Sequence, residues 1–351
     1  ATYDAVVICD HTSGYYGKYK LLPTLVQLQS DITSPFPPLD LMVHIGEISA
    51  ASFNDTIPAK EVWRVSEDGE LRDPFKKLTT VFQMSEEMFF LHYGKDGCNR
   101  HVLIDECREL FGEIYEQIPE LPFCNIWTAM QLSSRLPKGA LFHMGVSNTR
   151  RCWNMFQLPE SVESACNVGC CGIDGCVSTL VGASLVNPDR LCYVVVGDLT
   201  FFYDLNSLGN HHIGTNLRVM LVNNGRGTEF RLGIHHCNVF GDDADKYMAA
   251  AGHFGNKSPL LVKHYAEDLG FHHLSATTKE EFMTALSNFT NPQLSDHSMI
   301  LEVFTDSKDE SEALYLMSHI QSDAKGMVRS KLKDAVRNVA GEKGINAIKK
   351  F

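Results

Sequence analysis

Residues 191–230 read LCYVVVGDLTFFYDLNSLGNHHIGTNLRVMLVNNGRGTEF. An apolar run over 191–196 ends in Gly197-Asp198, helical spacing follows over 200–213, and a second apolar run over 219–222 ends in Asn223-Asn224-Gly225. Apolar runs of strand length separated by a helix are the mark of a parallel α/β sheet. Open parallel sheets bind ligands beyond the carboxyl ends of their strands. Both polar clusters stand at such ends and are expected to face one crevice. Asp198 and the Asn223/Asn224 pair offer hard oxygen donors and no soft one, which suits Mg²⁺ or Ca²⁺ and argues against zinc. A helix beginning near Thr200 would turn free backbone N–H groups toward the same place, which favours phosphate. GD and NNG are each ordinary turns when alone. Roughly 25 residues apart at two strand ends, they predict a diphosphate-anchoring site.

Working outward, strands are expected at 4–9, 39–45 and 61–65, with a helix over 18–30 that carries Leu21, Leu22, Leu25, Val26 and Leu28 on one face. The polar stretch GKDGCNR at 94–100, with Pro119 and Pro122, places a boundary in the region 100–122. Beyond it the layout repeats, with strands at 140–144, 191–196, 219–222 and 298–304 and helices at 124–136, 175–186, 200–213 and 279–289. The expected fold is α/β, in two three-layer domains whose parallel sheets are flanked by helices. The expected domains are 1–105, Rossmann-like; 106–320, which carries the diphosphate and metal site; and 321–351, a basic tail. That tail interleaves Lys325, Arg329, Lys331, Lys333 and Arg337 with Met327, Val328, Leu332, Val336 and Val339. Such a pattern predicts an amphipathic helix packed as a flank of its own domain.

The 351 residues hold 31 Lys+Arg against 43 Asp+Glu, a net charge of −12, which opposes a nucleic-acid or anionic-membrane partner because both need a basic face. No apolar run approaches 18 residues, and mean hydropathy is −0.13, so no membrane helix is expected. The first residues show no basic-then-apolar leader pattern, and the 11 cysteines are odd in number and partly embedded in apolar runs; a cytoplasmic address is expected. Cys166, Cys170, Cys171 and Cys176 crowd together without a CxxC pair, and read as small side chains beside a closely approached backbone. The His-His pairs at 211/212, 235/236 and 272/273 lack ligand spacing and read as surface or core histidines. GxGxxG after a strand and GxxxxGK[ST] are both missing, which removes support for plain NAD and ATP enzymes.

GD followed by NN at this interval resembles the cofactor motif of the thiamine-diphosphate-dependent enzymes. GIDG at 172–175, Ser178-Thr179 and GDLTFFYDLNSL are similar to one branch of that family, the menaquinone-pathway 2-succinyl-5-enolpyruvyl-6-hydroxy-3-cyclohexene-1-carboxylate synthases. The likeness continues upstream through LDLMVHIGE and EVWRVSEDGELRDP and downstream through SMILEVFTDSKDESEAL. The resemblance implies a thiamine-diphosphate-binding fold in the C-terminal domain. It also implies a Mg²⁺ ion held by the side chains of Asp198 and Asn224 and the carbonyl of Arg226. Leu199 and Thr200 would lie near the diphosphate, with Ile173 beneath the cofactor and Cys171 offering its carbonyl to the aminopyrimidine; Gly172 and Gly197 join them as cofactor-binding residues. Ser147 and Arg151, in GVSNTRRCW, would read a substrate carboxylate, and Phe230 joins them as a substrate residue. Two positions depart from the pattern: Val168 replaces an arginine, and Glu229 replaces an apolar residue.

The implied chemistry is transferase or lyase work on a small 2-oxo acid, decarboxylated with the cofactor as electron sink, the carbanion then passing to an acceptor. No catalytic residue is assigned within this chain. The family's proton-relaying glutamate belongs to a pyrimidine-binding domain, which nothing in 1–105 resembles, so a fragment or subunit is expected that meets that domain in cis or in trans, within a homo-oligomer. Simple 2-oxo acid decarboxylation and a non-catalytic interaction module are the rival readings, the latter favoured by Val168 and Glu229.

Overall fold

The computed structural model describes residues 3–32, 36–46, 57–94, 100–169, 172–232, 235–243, 253, 255, 257–323, 327, 328 and 331. The expected tail helix and the positions Cys170 and Cys171 lie outside them, apart from a few tail residues. Two units separate: 1–8, 25–119 and 317–351 form one, and 9–24 with 120–316 form the other.

In chain order the first elements are β1 (Val7–Ile8), β2 (Lys20–Leu21), α1 (Thr24–Leu28), β3 (Leu39–His44), β4 (Ala59–Ser66), β5 (Leu78–Gln83), α2 (Glu86–Tyr93) and α3 (Val102–Glu116). The first unit is built on a three-stranded parallel sheet, β3-β4-β5. The helix expected over 18–30 is cut to Thr24–Leu28, because Pro23 fixes its start and residues 20–21 pair as a strand instead. Strand β5 went unanticipated. Its alternating, half-buried pattern LTTVFQ gives no continuous apolar run.

The second unit continues with α4 (Asn125–Leu132), β6 (Leu141–Met144), α5 (Asn148–Trp153), β7 (Glu163–Cys166), α6 (Cys176–Val186), β8 (Cys192–Gly197), α7 (Asp198–Tyr203) and β9 (Leu217–Asn223). It ends with α8 (Leu261–Asp268), β10 (His272–Ala276), α9 (Lys279–Phe289), β11 (Met299–Phe304) and α10 (Ser307–Ser318). Its sheet has six parallel strands in the order β10-β11-β9-β8-β6-β7. The central strands are buried throughout, as expected of a parallel sheet covered on both faces: every residue of β9 is buried, and Val194, Val196, Val219 and Leu221 pack against Cys176, Val177 and Leu180 of α6.

Connections from β6 run outward to β7, whereas those from β8 run the other way to β9 and β11. The topological switch therefore falls between β6 and β8. At this point Gly145 donates its N–H to Val195 O at 2.7 Å, and a Cβ added there would meet that same oxygen at 3.2 Å, so the glycine permits the close approach. The outer edge at β7 is covered by the segment before β2: Ser164 N–H donates to Tyr16 Oη at 2.9 Å, and Ser164 Oγ donates to the His11 carbonyl at 2.5 Å.

The helix expected over 200–213 is corrected. Helix α7 starts earlier, at Asp198, and stops after six residues; a 3₁₀ turn, Leu205–Gly209, follows. The cause is the run of turn formers Asp204, Asn206, Ser207 and Asn210, whose side chains compete with the helix for backbone partners, closed by the helix-weakening Gly209. Asp204 Oδ2 accepts the Ser178 N–H at 2.7 Å and so caps the first turn of α6.

Behind α5 lies a buried carboxylate, Glu310, only 1% exposed. Its Oε1 accepts the Asn125 N–H at 2.9 Å and the Thr305 hydroxyl at 3.0 Å, tying α10 to the start of α4. Burial pushes its pKa up from 4.5 to about 7, against the lowering effect of those hydrogen bonds and one from Asn148. The folded state thus holds a proton that the unfolded state releases first. Stability should fall as pH rises from about 4.5 to about 7 and level off above, a contribution on the order of 3 kcal/mol. Denaturant unfolding across that range should show the decline in the unaltered chain and a flatter profile in Glu310→Gln.

Candidate active site at the tips of β6, β8 and β9

Apolar burial fixes the three central strands, and their polar exits are carried to one end of the sheet. At the tip of β8, the Asp198 side chain is 2% exposed. Its Oδ1 accepts the Leu199 N–H at 2.7 Å, and its Oδ2 accepts the N–H groups of Asn224 and Gly225 at 3.1 and 2.5 Å. One buried carboxylate therefore joins the start of α7 to the loop leaving β9. Three amide donors stabilise its charge in place of water. Gly225, at φ 84°, supplies the left-handed residue that turns this loop back toward the carboxylate.

Asn224 shares that loop. Its Oδ1 is buried and has no hydrogen-bond partner, and the same holds for Asn223 Oδ1, Thr228 Oγ1 and His253 Nε2. Orphaned buried polar atoms are uncommon because each forfeits its hydration without compensation. Those of Asn224 and His253 lie beside the Asp198 carboxylate and suit a polar ligand there. The donor set fits a hard divalent cation: Asp198 Oδ1 takes only one N–H and retains acceptor capacity, and Asn224 Oδ1 is wholly unused. No cluster of three His, Cys, Asp or Glu residues competes as a metal site among the described residues. Asn223, the partner in the expected pair, turns the other way; its Nδ2 donates to buried Glu302 at 2.7 Å, and Glu302 in turn meets His273 Nε2 at 3.2 Å.

The expectation that the α7 N-terminus presents free N–H groups is corrected in part, since the Leu199 N–H is already taken by Asp198 itself. His253 was not anticipated. Its Nε2 lies 3.1 Å from Asp198 Oδ2, off the line of a hydrogen bond, and its ring packs 5.1 Å from that of Phe202. A lone histidine 55 positions from the aspartate, in a glycine-bearing stretch, carries no spacing signal in the sequence.

Ser147 stands exposed at the tip of β6 with φ 60°, a left-handed conformation uncommon for serine, and opens α5. Arg151, one turn on, donates through Nη1 to Glu229 Oε2 at 3.0 Å and through Nη2 to Oε1 at 2.6 Å. Burial disfavours the guanidinium charge, but the hydrogen bonds and charge of Glu229 more than offset it, and the pKa rises above the ordinary arginine value. Phe230, beside Glu229 in the turn after β9, packs edge-on against His235 at 5.2 Å. Gly172 and Ile173 precede α6 and are partly buried; a Cβ on Gly172 would meet Asp174 Oδ1 at 2.7 Å. Gly197 ends β8, and Leu199 and Thr200 follow Asp198 in the first turn of α7.

No protein-family model matches the chain. Among curated proteins it is 33% identical over 263 residues to the 2-succinyl-5-enolpyruvyl-6-hydroxy-3-cyclohexene-1-carboxylate synthase of Bacteroides fragilis, an alignment covering 73% of this chain and 45% of that protein. This chain is a relative of those synthases. The same named enzyme of Phocaeicola vulgatus is 31% identical over 265 residues, covering 73% and 44% of the two chains. That of Flavobacterium psychrophilum is 29% identical over 257 residues, covering 68% and 42%. The chain spans under half the length of the synthases it matches. No helix among its described residues is long and apolar enough to cross a membrane.

The two oxygen donors are expected to behave differently on removal. Asp198→Ala strands three N–H groups and should cost on the order of 3 kcal/mol. Asn224→Ala removes a buried oxygen that bonds to nothing and should leave ligand-free stability unchanged or raise it, by up to about 1 kcal/mol. Denaturant unfolding without added metal tests both.

Proposed function

We propose that the second unit binds thiamine diphosphate through Mg²⁺ and that the chain is part of an enzyme acting on a 2-oxo acid, as the synthase relatives suggest. The observation that carries this reading is the partnerless Asn224 Oδ1 in the loop after β9, pinned to buried Asp198 at the tip of β8, the strand that borders the switch point of the sheet. Asp198, Asn224 and the carbonyl of Arg226 would hold the ion. Gly197, Leu199 and Thr200 would border the diphosphate, with Gly172 and Ile173 under the organic part and Ser147, Arg151 and Phe230 on the substrate side. When bound, the cofactor supplies the electron sink for loss of CO₂.

The protein's own part is placement. The three amide donors to Asp198 fix the carboxylate before an ion arrives, so little ordering remains to be done on binding. Buried β8 and β9 hold the two ligand-bearing exits in register, with Gly197 beside Val222. The aligned synthases are more than twice as long as the matched stretch, and we assign the proton relay to a pyrimidine-binding domain in cis or in trans within a homo-oligomer. Cytoplasmic residence fits this reading.

Calorimetric titration with thiamine diphosphate and Mg²⁺ is the direct test. Binding should depend on Mg²⁺, weaken at least tenfold in Asn224→Ala without loss of fold, and vanish in Asp198→Ala. The chain alone should turn over no 2-oxo acid. Equal binding by the parent and Asn224→Ala would remove the metal role of that amide.

A further inference from the structure

Arg151 is carried on α5 after β6, and Glu229 lies in the turn after β9. Both strands flank β8, which bears Asp198, so the pair joins the tips on either side of the proposed cofactor strand. The contact is bidentate, at 3.0 and 2.6 Å, with side chains 23% and 20% exposed. The third contact of the guanidinium, 3.4 Å from Nη1 to Asn148 Oδ1, is also internal.

Two parallel N–H···O bonds are the geometry in which arginine recognises a carboxylate ligand. Here the fold itself provides the carboxylate, held in place by a short turn. An incoming carboxylate would have to displace a tethered rival and then sit beside the anion it displaced; both effects oppose it. A substrate with an uncharged remainder meets neither obstacle.

We propose that Glu229 is a specificity-determining residue, an internal carboxylate that occupies the Arg151 fork and restricts the site to 2-oxo acids whose remaining group is uncharged. Its meaning for substrate choice rests on the 2-oxo acid reading above. The occupation of Arg151 does not.

The test uses glutarate as a dianionic probe and pentanoate as its monoanionic counterpart, titrated calorimetrically into the full chain. Glu229→Ala should bind glutarate at least tenfold more tightly than the parent, with a smaller gain for pentanoate, which has one carboxylate to offer the fork and not two. The gain should disappear in the double variant Arg151→Met with Glu229→Ala. No gain, or a gain that persists without Arg151, overturns the proposal. In case Glu229→Ala does not fold, the parent chain gives an independent reading. Phenylglyoxal labelling of Arg151, followed by peptide mass spectrometry, should be slow and insensitive to glutarate, and labelling that glutarate blocks overturns the proposal. A thiamine diphosphate titration of the same parent chain separates the two readings. Its failure alongside the glutarate gain overturns the cofactor reading and upholds the occupied fork; its success without the gain overturns the fork alone.

Discussion

The Asp198 carboxylate, buried and bound by three backbone N–H groups, is the constraint around which the second unit is arranged at its working end. An ionised carboxylate that deep is tolerable only because the amides replace its hydration. Each of those amides belongs to a strand exit, so satisfying the charge also fixes the start of α7 and the turn of the β9 loop. The position of the unused Asn224 oxygen follows from the same bonds. Electrostatic necessity and site geometry are here one requirement.

That requirement was legible because long-range order and local pattern coincide in the middle of a parallel sheet. Strands β8 and β9 are buried on both faces and read as unbroken apolar runs, and their exits are marked by GD and NNG. Edge strands gave no such signal. Neither ESAC of β7 nor HHLSA of β10 has a continuous apolar run, and both take their form from one neighbour in the sheet. The helix over 200–213 was over-read because its apolar spacing, Phe201, Phe202, Leu205 and Leu208, survives a break that Asp204 and its polar neighbours impose. Residues paired only by folding were out of reach. His253 meets Asp198 across 55 positions, and Arg151 meets Glu229 across 78.

Charges and polar atoms in this unit fall into two groups by whether the fold satisfies them. Arg151 and Glu229 answer each other in a closed pair. Asn224 Oδ1, Thr228 Oγ1 and His253 Nε2 are open, as are His143 Nε2, Arg218 Nε and Glu310 Oε2 elsewhere in the unit. The fit to a cation rests on the unused Asn224 oxygen in the loop pinned to Asp198. Glu229 had stood out in the sequence as an anion where an apolar residue was expected, and the closed pair gives that departure a physical purpose.

The covering of β7 has a bearing on how the chain behaves in a crowded solution. An exposed outer strand offers a ladder of unused amide groups to any passing peptide. Here a tyrosine hydroxyl from the segment ahead of β2 takes the Ser164 N–H that a foreign strand would need, and a histidine carbonyl of the same segment holds the Ser164 side chain beside it. Growth of the sheet by recruitment of further copies is thereby discouraged on that side. A few side-chain bonds thus protect solubility without lengthening the sheet or closing it into a barrel.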